Sequence, residues 1–126
     1  MTLMAAVLVV DDNEGVRKLV TMLLEQKGHK VLCANNGLEG LMVYSSYRAQ
    51  FDLVLTDIDM PQMDGIQLAA RIHARDPSKK IVLMSGRAAE YPEGVGNNPV
   101  LSKPFRPDEL IAVVEAALKA QTESVG

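Results

Sequence analysis

Tryptophan is absent from this chain, and only three tyrosines and two phenylalanines stand among its 126 residues. So sparse a set of rings offers no platform on which nucleic-acid bases could stack. Cysteine is nearly absent too. Cys33 stands alone, which excludes an internal disulfide and suits a reducing compartment. There is no excess of positive charge: 13 basic and 16 acidic residues leave a net charge of −3, and no electrostatic reason to expect direct nucleic-acid binding. Long apolar runs are missing. The longest near the start, Met4 to Val10, is too short to span a bilayer. No basic region precedes it and no small-residue cleavage site follows it, so no signal peptide is expected. These absences point to a cytoplasmic protein without membrane insertion.

What is present is a composition of 48% hydrophobic and 23% charged residues, as in folded soluble domains. The length fits one domain, with a core over about residues 5–120 and a frayed tail at 121–126. Neither internal repeats nor low-complexity segments interrupt it.

Five short apolar runs alternate with helical patterns. Ala5 to Val10 is continuous rather than alternating, as in a strand covered on both faces. Asn13 caps a helix whose stripe is Val16, Leu19, Val20, Leu23 and Leu24, and Gly28 ends it. Lys30 to Ala34 is a second strand, and Leu38 to Tyr47 a second helix weakened by Gly40 and Ser45-Ser46. Leu53 to Leu55 is the central strand, with Asp57 where it ends. Ile58 to Gly65 is a loop, and Gly65 to Arg75 a third helix with Ile66, Ala69, Ile72 and His73 on one side. Ile81 to Met84 is a fourth strand ending in Ser85-Gly86. Between Arg87 and Pro99 there is room for one helical turn, around Arg87 to Tyr91. Val100 to Ser102 is a fifth strand, and Pro107 opens a last helix with Leu110, Val114, Ala117 and Leu118 facing inward. Alternation with connections too long for hairpins predicts an α/β, doubly wound parallel sheet with helices on both faces and a shortened fourth helix.

Each strand end carries a different polar group: Asp11-Asp12, Asp57, Ser85 and Lys103. In a doubly wound sheet such ends open on one edge and converge at the switch point. Three crowded carboxylates need a counter-charge, and Mg²⁺ is the hard, oxygen-seeking cation that suits them. The set meets the needs of phosphoryl transfer. One carboxylate attacks, a metal and an ammonium neutralise oxygens, and a hydroxyl holds another. Asp57, alone on the central strand, is the expected nucleophile, and Asp11-Asp12 the better metal holder.

Four segments carry a resemblance: Val9-Val10-Asp11-Asp12-Asn13, Leu55 to Gly65, Leu83-Met84-Ser85-Gly86 and Ser102-Lys103-Pro104-Phe105. In this order the chain resembles the receiver domain of bacterial two-component response regulators. The resemblance implies a flavodoxin-like fold of five parallel strands in order 2-1-3-4-5. It implies phosphorylation of Asp57 from a phosphohistidine on a sensor histidine kinase or a histidine phosphotransfer protein, followed by slow self-dephosphorylation. Asp12 and Asp57 would ligate Mg²⁺ directly with the backbone carbonyl of Asp59, and Asp11 mainly through water. Ser85 and Lys103 would hold the phosphoryl group. The Lys103-Pro104 bond would be cis, and the protein a monomer or weak dimer.

Two features depart from the pattern. Val100 stands where receivers often carry an aromatic switch residue, and the segment from Ser85 to Lys103 is short. Both resemble receivers fused to hybrid sensor kinases, and they point to a phosphate relay or sink rather than output through a fourth-helix dimer face. Asp59 and Arg87 either pair across the cleft mouth, limiting water's access, or are two solvated charges. Met60 and Met63 are expected to pack the loop. His29 and His73 have no partner at metal-ligand spacing. Cys33 is expected to pack in a buried strand, and Met22 to be exposed near the site edge, as a kinase contact or an incidental surface residue. Two rival functions remain. Asp57-Ile58-Asp59 fits the Asp-x-Asp of haloacid-dehalogenase-like phosphatases, which would give sustained turnover of p-nitrophenyl phosphate. A phosphate-independent pseudo-receiver would have lost one of the acidic residues, and here the set is complete.

Overall fold

The computed structural model describes residues 4–123. Five parallel strands form one sheet in the order β2-β1-β3-β4-β5: β1 (Ala6–Val10), β2 (Lys30–Ala34), β3 (Leu53–Asp57), β4 (Lys80–Ser85) and β5 (Val100–Ser102). The helices are α1 (Glu14–Gln26), α2 (Gly37–Tyr47), α3 (Gly65–Arg75) and α4 (Pro107–Glu123). Short 3₁₀ turns stand at Arg48–Gln50 and Ala88–Glu90. The second of these is all that occupies the place of a helix between β4 and β5, as the glycines, prolines and asparagines of that segment require.

Two apolar layers sandwich the sheet. α2 and α3 close one over Leu8, Val10, Val54 and Leu83, helped by Tyr91 and Val95 where no helix is available. α1 and α4 close the other over Val7, Val9, Leu55 and Val82. β1 and β3 are buried on both faces, which explains their unbroken apolar runs. Local signals set the helix starts. The Asn13 side chain accepts from the Val16 amide at 3.0 Å, and Asp64 and Gln67 form a reciprocal capping box that opens α3. Gly28, at φ +91°, turns the chain out of α1 toward β2.

Several expectations are corrected. Leu19 is 41% exposed, because α1 rests on the sheet along the narrower row of Val16, Val20 and Leu24, four residues apart. Cys33 is exposed, since β2 is an edge strand that the flanking helices cover incompletely. On α3 the buried residues are Leu68, Ala69 and Ile72 together with Gly65, while Ile66 and His73 are half-buried. The proposed tail is helical through Glu123, and residues 124–126 lie outside the described residues. Met60 and Met63 are buried under the loop as expected, and Met22 is exposed.

Among the described glycines, Gly65 leaves the least room for a side chain. A methyl group there would meet the Asp57 carbonyl oxygen at 2.2 Å and the Ile58 Cα at 2.9 Å. Gly65→Ala must therefore push α3 away from the end of β3. We expect a loss of roughly 1–3 kcal/mol in urea denaturation, with NMR shifts concentrated at residues 57–65. An unchanged denaturation midpoint would show that the loop yields freely.

Candidate functional site

Strand register brings the polar strand ends together. Val10 lies opposite Thr56, Asp57 opposite Met84, and Ser85 opposite Ser102. The ladder continues past the strands: the Ile58 amide donates to the Met84 carbonyl at 2.8 Å and the Lys103 amide to the Ser85 carbonyl at 2.9 Å. Asp11, Asp57, Ser85 and Lys103 thus open on one edge. The Lys103–Pro104 peptide is cis.

The Lys103 ammonium lies between two acids, 2.8 Å from Asp11 Oδ2 and 3.2 Å from Asp57 Oδ1. Asp11 is fully buried and Asp57 nearly so at 4% exposure, while Asp12 is exposed. One oxygen from each of the three carboxylates lies within 4.8 Å of the others. Burial pushes the Asp57 carboxyl up to about 6; Lys103 opposes the rise and Asp11 adds to it. Burial works against the Lys103 ammonium, but the Asp11 and Asp57 carboxylates outweigh it and hold its pKa above the ordinary lysine value.

Three acids against one ammonium leave the pocket short of positive charge, and Asp11 adds to the rise that burial gives the Asp57 carboxyl. A hard divalent cation with oxygen ligands fits this donor set. Asp11, tied to Lys103 and to the Asn13 amide at 2.8 Å, has little freedom to turn toward a cation, whereas Asp12 has more.

Ser85 and Asp59 form the mouth. The Ser85 hydroxyl donates to Asp59 Oδ2 at 3.1 Å and accepts from the Arg87 amide at 2.9 Å. Arg87 Nη2 pairs with Asp59 Oδ1 at 2.6 Å, so the pairing reading of these two residues holds over that of separate solvated charges. The Arg87 guanidinium keeps the Asp59 carboxyl below the usual range despite some burial, and Asp59 in turn raises the guanidinium. Asp59 is therefore ionised, paired and turned to the rim, unlike the free second aspartate that phosphatase chemistry needs.

Sequence reasoning missed three supports. The Asn13 amide bonds the Asp11 side chain, an Asx turn that Asp-x-Asn can signal. Arg17 Nη1 donates to the Asp11 carbonyl at 2.8 Å. The Ser85 bond to Asp59 joins the end of β4 to the loop after β3 and left no sequence signal. No helix among the described residues is long and apolar enough to cross a membrane.

A family model for the response regulator receiver domain matches residues 7–115. The response regulator receiver protein CpdR of Brucella abortus is 36% identical over 122 residues, 93% of this chain and 99% of that protein. The structure of the Vibrio cholerae chemotaxis protein CheY4 aligns with a TM-score of 0.78 at 28% identity, covering 91% of this chain and 99% of that one. The receiver domain from the hybrid histidine kinase CckA aligns with a TM-score of 0.79 at 26% identity, covering 90% of this chain and 98% of that one. Of longer regulatory proteins that it matches, the chain spans only part, 55% of one and 26% of another. Matched by that family model over most of its length, and sharing the five-stranded 2-1-3-4-5 sheet, the chain belongs to the response regulator receiver domain family of two-component systems.

Proposed function

We propose that the chain is a phosphoacceptor in which Asp57 takes a phosphoryl group from a phosphohistidine on a sensor histidine kinase or a histidine phosphotransfer protein. The observation that carries this reading is the Lys103 ammonium lodged between buried Asp11 and Asp57. An Asp57 oxygen forms the new O–P bond as the P–N bond to the donor imidazole breaks, and the imidazole nitrogen takes up a proton. With its carboxyl at about 6, Asp57 is ionised at neutral pH and ready to attack. Lys103 holds Asp57 in place and offers its ammonium to a phosphoryl oxygen. Ser85 leaves Asp59 to donate its hydroxyl to another.

Asp12 and Asp57, with the backbone carbonyl of Asp59, are the proposed Mg²⁺ ligands, with Asp11 acting through water. Bound there, the ion supplies the positive charge that the three carboxylates and the incoming oxygens lack. Incubation with phosphoramidate and Mg²⁺, followed by intact-mass measurement, tests the reading. One phosphoryl group is expected, and none in the presence of a chelator. Sustained release of phosphate over many turnovers would favour a phosphatase instead. A relay or sink role suits a chain with a single 3₁₀ turn between β4 and β5 and Val100 on β5. Strong phosphorylation-dependent dimerisation in light scattering would argue against that role.

Arg87 and Asp59 close the rim beside Ser85. Water must reach phosphorus past them to return Asp57 to its carboxylate and release inorganic phosphate. Arg87→Ala is expected to speed loss of the phosphoryl group severalfold while leaving the unfolding midpoint nearly unchanged, as befits an exposed pair. An unaltered half-life by mass measurement would remove the rim pair from the account.

A further inference from the structure

We infer that the opposite edge of the sheet carries a second binding site, for a small anion with a flat ring, of the nucleoside monophosphate class. A cleft of about 840 Å³ lies there, between the chain leaving α3, the start of β4, the loop before β5 and the last turns of α4. That volume is in the range of small-molecule sites, about 300–1,000 Å³. Lys80 opens β4 at this end, whereas Ser85 closes it on the Asp57 side.

Among the described residues the lining is one-sided in charge: it holds His73, Lys79 and Lys80 and no Asp or Glu, in a chain whose net charge is −3. Lys79 is committed to the carbonyls of Arg48 and Phe51, and His73 Nε2 donates to the Lys79 carbonyl at 2.9 Å. Lys80 is half-buried and its side chain makes no ion pair or hydrogen bond among the described residues, so its ammonium is the one available to an anion.

Asn98 is the second, independent indication. It is only 8% exposed and lines the cleft, yet its side-chain amide has no hydrogen-bond partner among the described residues. Among the described residues the buried side-chain polar atom without a partner is His29 Nε2, so the Asn98 amide is not sealed off but opens on the cleft, where a ligand can replace water as its partner. Its backbone is pinned by reciprocal 3.0 Å bonds with Val95, which hold the residue at the cleft wall. An amide offers a donor and an acceptor side by side, which matches the edge of a base. Pro77, Pro99, Ala116 and Ala117 supply short, rigid apolar walls that leave the space between them unfilled, suited to a flat ring. An uncommitted ammonium and an uncommitted amide on one lining thus favour an anion joined to a planar polar ring.

The test is an amide-shift titration of the ¹⁵N-labelled full chain with AMP, with adenosine and inorganic phosphate as separate halves. AMP is expected to give saturable shifts at residues 77–81, 96–99 and 113–120. Each half alone should bind at least about tenfold more weakly. Lys80→Glu and Ala116→Trp should each weaken AMP binding at least about tenfold, and Asp57→Asn should leave it unchanged. Ala116 is exposed on α4, so its variant keeps the test alive should Lys80→Glu fail to fold. Absence of saturable shifts, shifts confined to the Asp57 edge, or undiminished binding in the folded variants would overturn the proposal. Phosphate binding as tightly as AMP would overturn its ring half.

Discussion

Asp57→Asn is expected to abolish phosphoryl uptake and, in chelator, to stabilise the fold at neutral pH. The amide cannot attack phosphorus, so the mass gain expected with phosphoramidate and Mg²⁺ should vanish outright. The stability effect comes from burial. In the folded protein the Asp57 carboxyl stands at about 6, above its ordinary 3.8, so folding takes up a proton there. Its contribution is fully present below the unfolded pKa and is lost as the pH rises through about 6. At pH 7 the ionised, buried carboxylate is a net penalty of roughly 1–3 kcal/mol. The variant lacks that penalty, so its urea midpoint should exceed wild type at pH 7.5 and approach it at pH 4. Parallel pH profiles for the two proteins would contradict the burial argument. Residual phosphorylation of the variant would move the acceptor elsewhere.

Lys103→Ala is the other large effect. Asp11 is fully buried, and the ammonium at 2.8 Å is its only ion-pair partner among the described residues. Removing it leaves a carboxylate uncompensated in the interior, at a cost of about 3–5 kcal/mol. Asp57 loses its counter-charge in the same step. Phosphoryl uptake should fall at least about a hundredfold, as when one preorganised donor is deleted from an oxyanion site. Millimolar Mg²⁺ should restore part of the stability, because a cation in the acidic pocket replaces the missing charge, and little of the rate. Lys103→Arg keeps the charge but not the compact shape, and should regain stability more than rate. A Lys103→Ala protein as stable as wild type in chelator would show that Asp11 finds relief by another route.

The elements whose signals are local were readable in the chain. The bounds of β2 and β5 follow from short apolar runs set between turn residues, those of α3 from a one-sided helical stripe that begins at Gly65, and Asn13 marks the start of α1 by its cap. The convergence of Asp11, Asp57, Ser85 and Lys103 was readable as well, because parallel strands of a doubly wound sheet leave no other edge for their carboxyl ends. What escaped depends on neighbours that no local pattern encodes. Leu19 falls on the helical stripe but lies beyond the row that meets the sheet, and Cys33 belongs to an apolar run at an uncovered edge. The Ser85 hydroxyl was expected to wait for a phosphoryl oxygen, yet it is held by the Arg87 amide and by Asp59, 26 residues before it in the chain.

The fifth strand spans only three residues and has a neighbour on one side alone. Its detachment breaks few backbone bonds and leaves both apolar layers largely in place, so it belongs to the cheapest openings available to the native state. Yet the residue that follows it supplies the ammonium on which Asp11 and Asp57 depend. Under mild heat or denaturant the protein should therefore fall silent as a signalling component well before it melts.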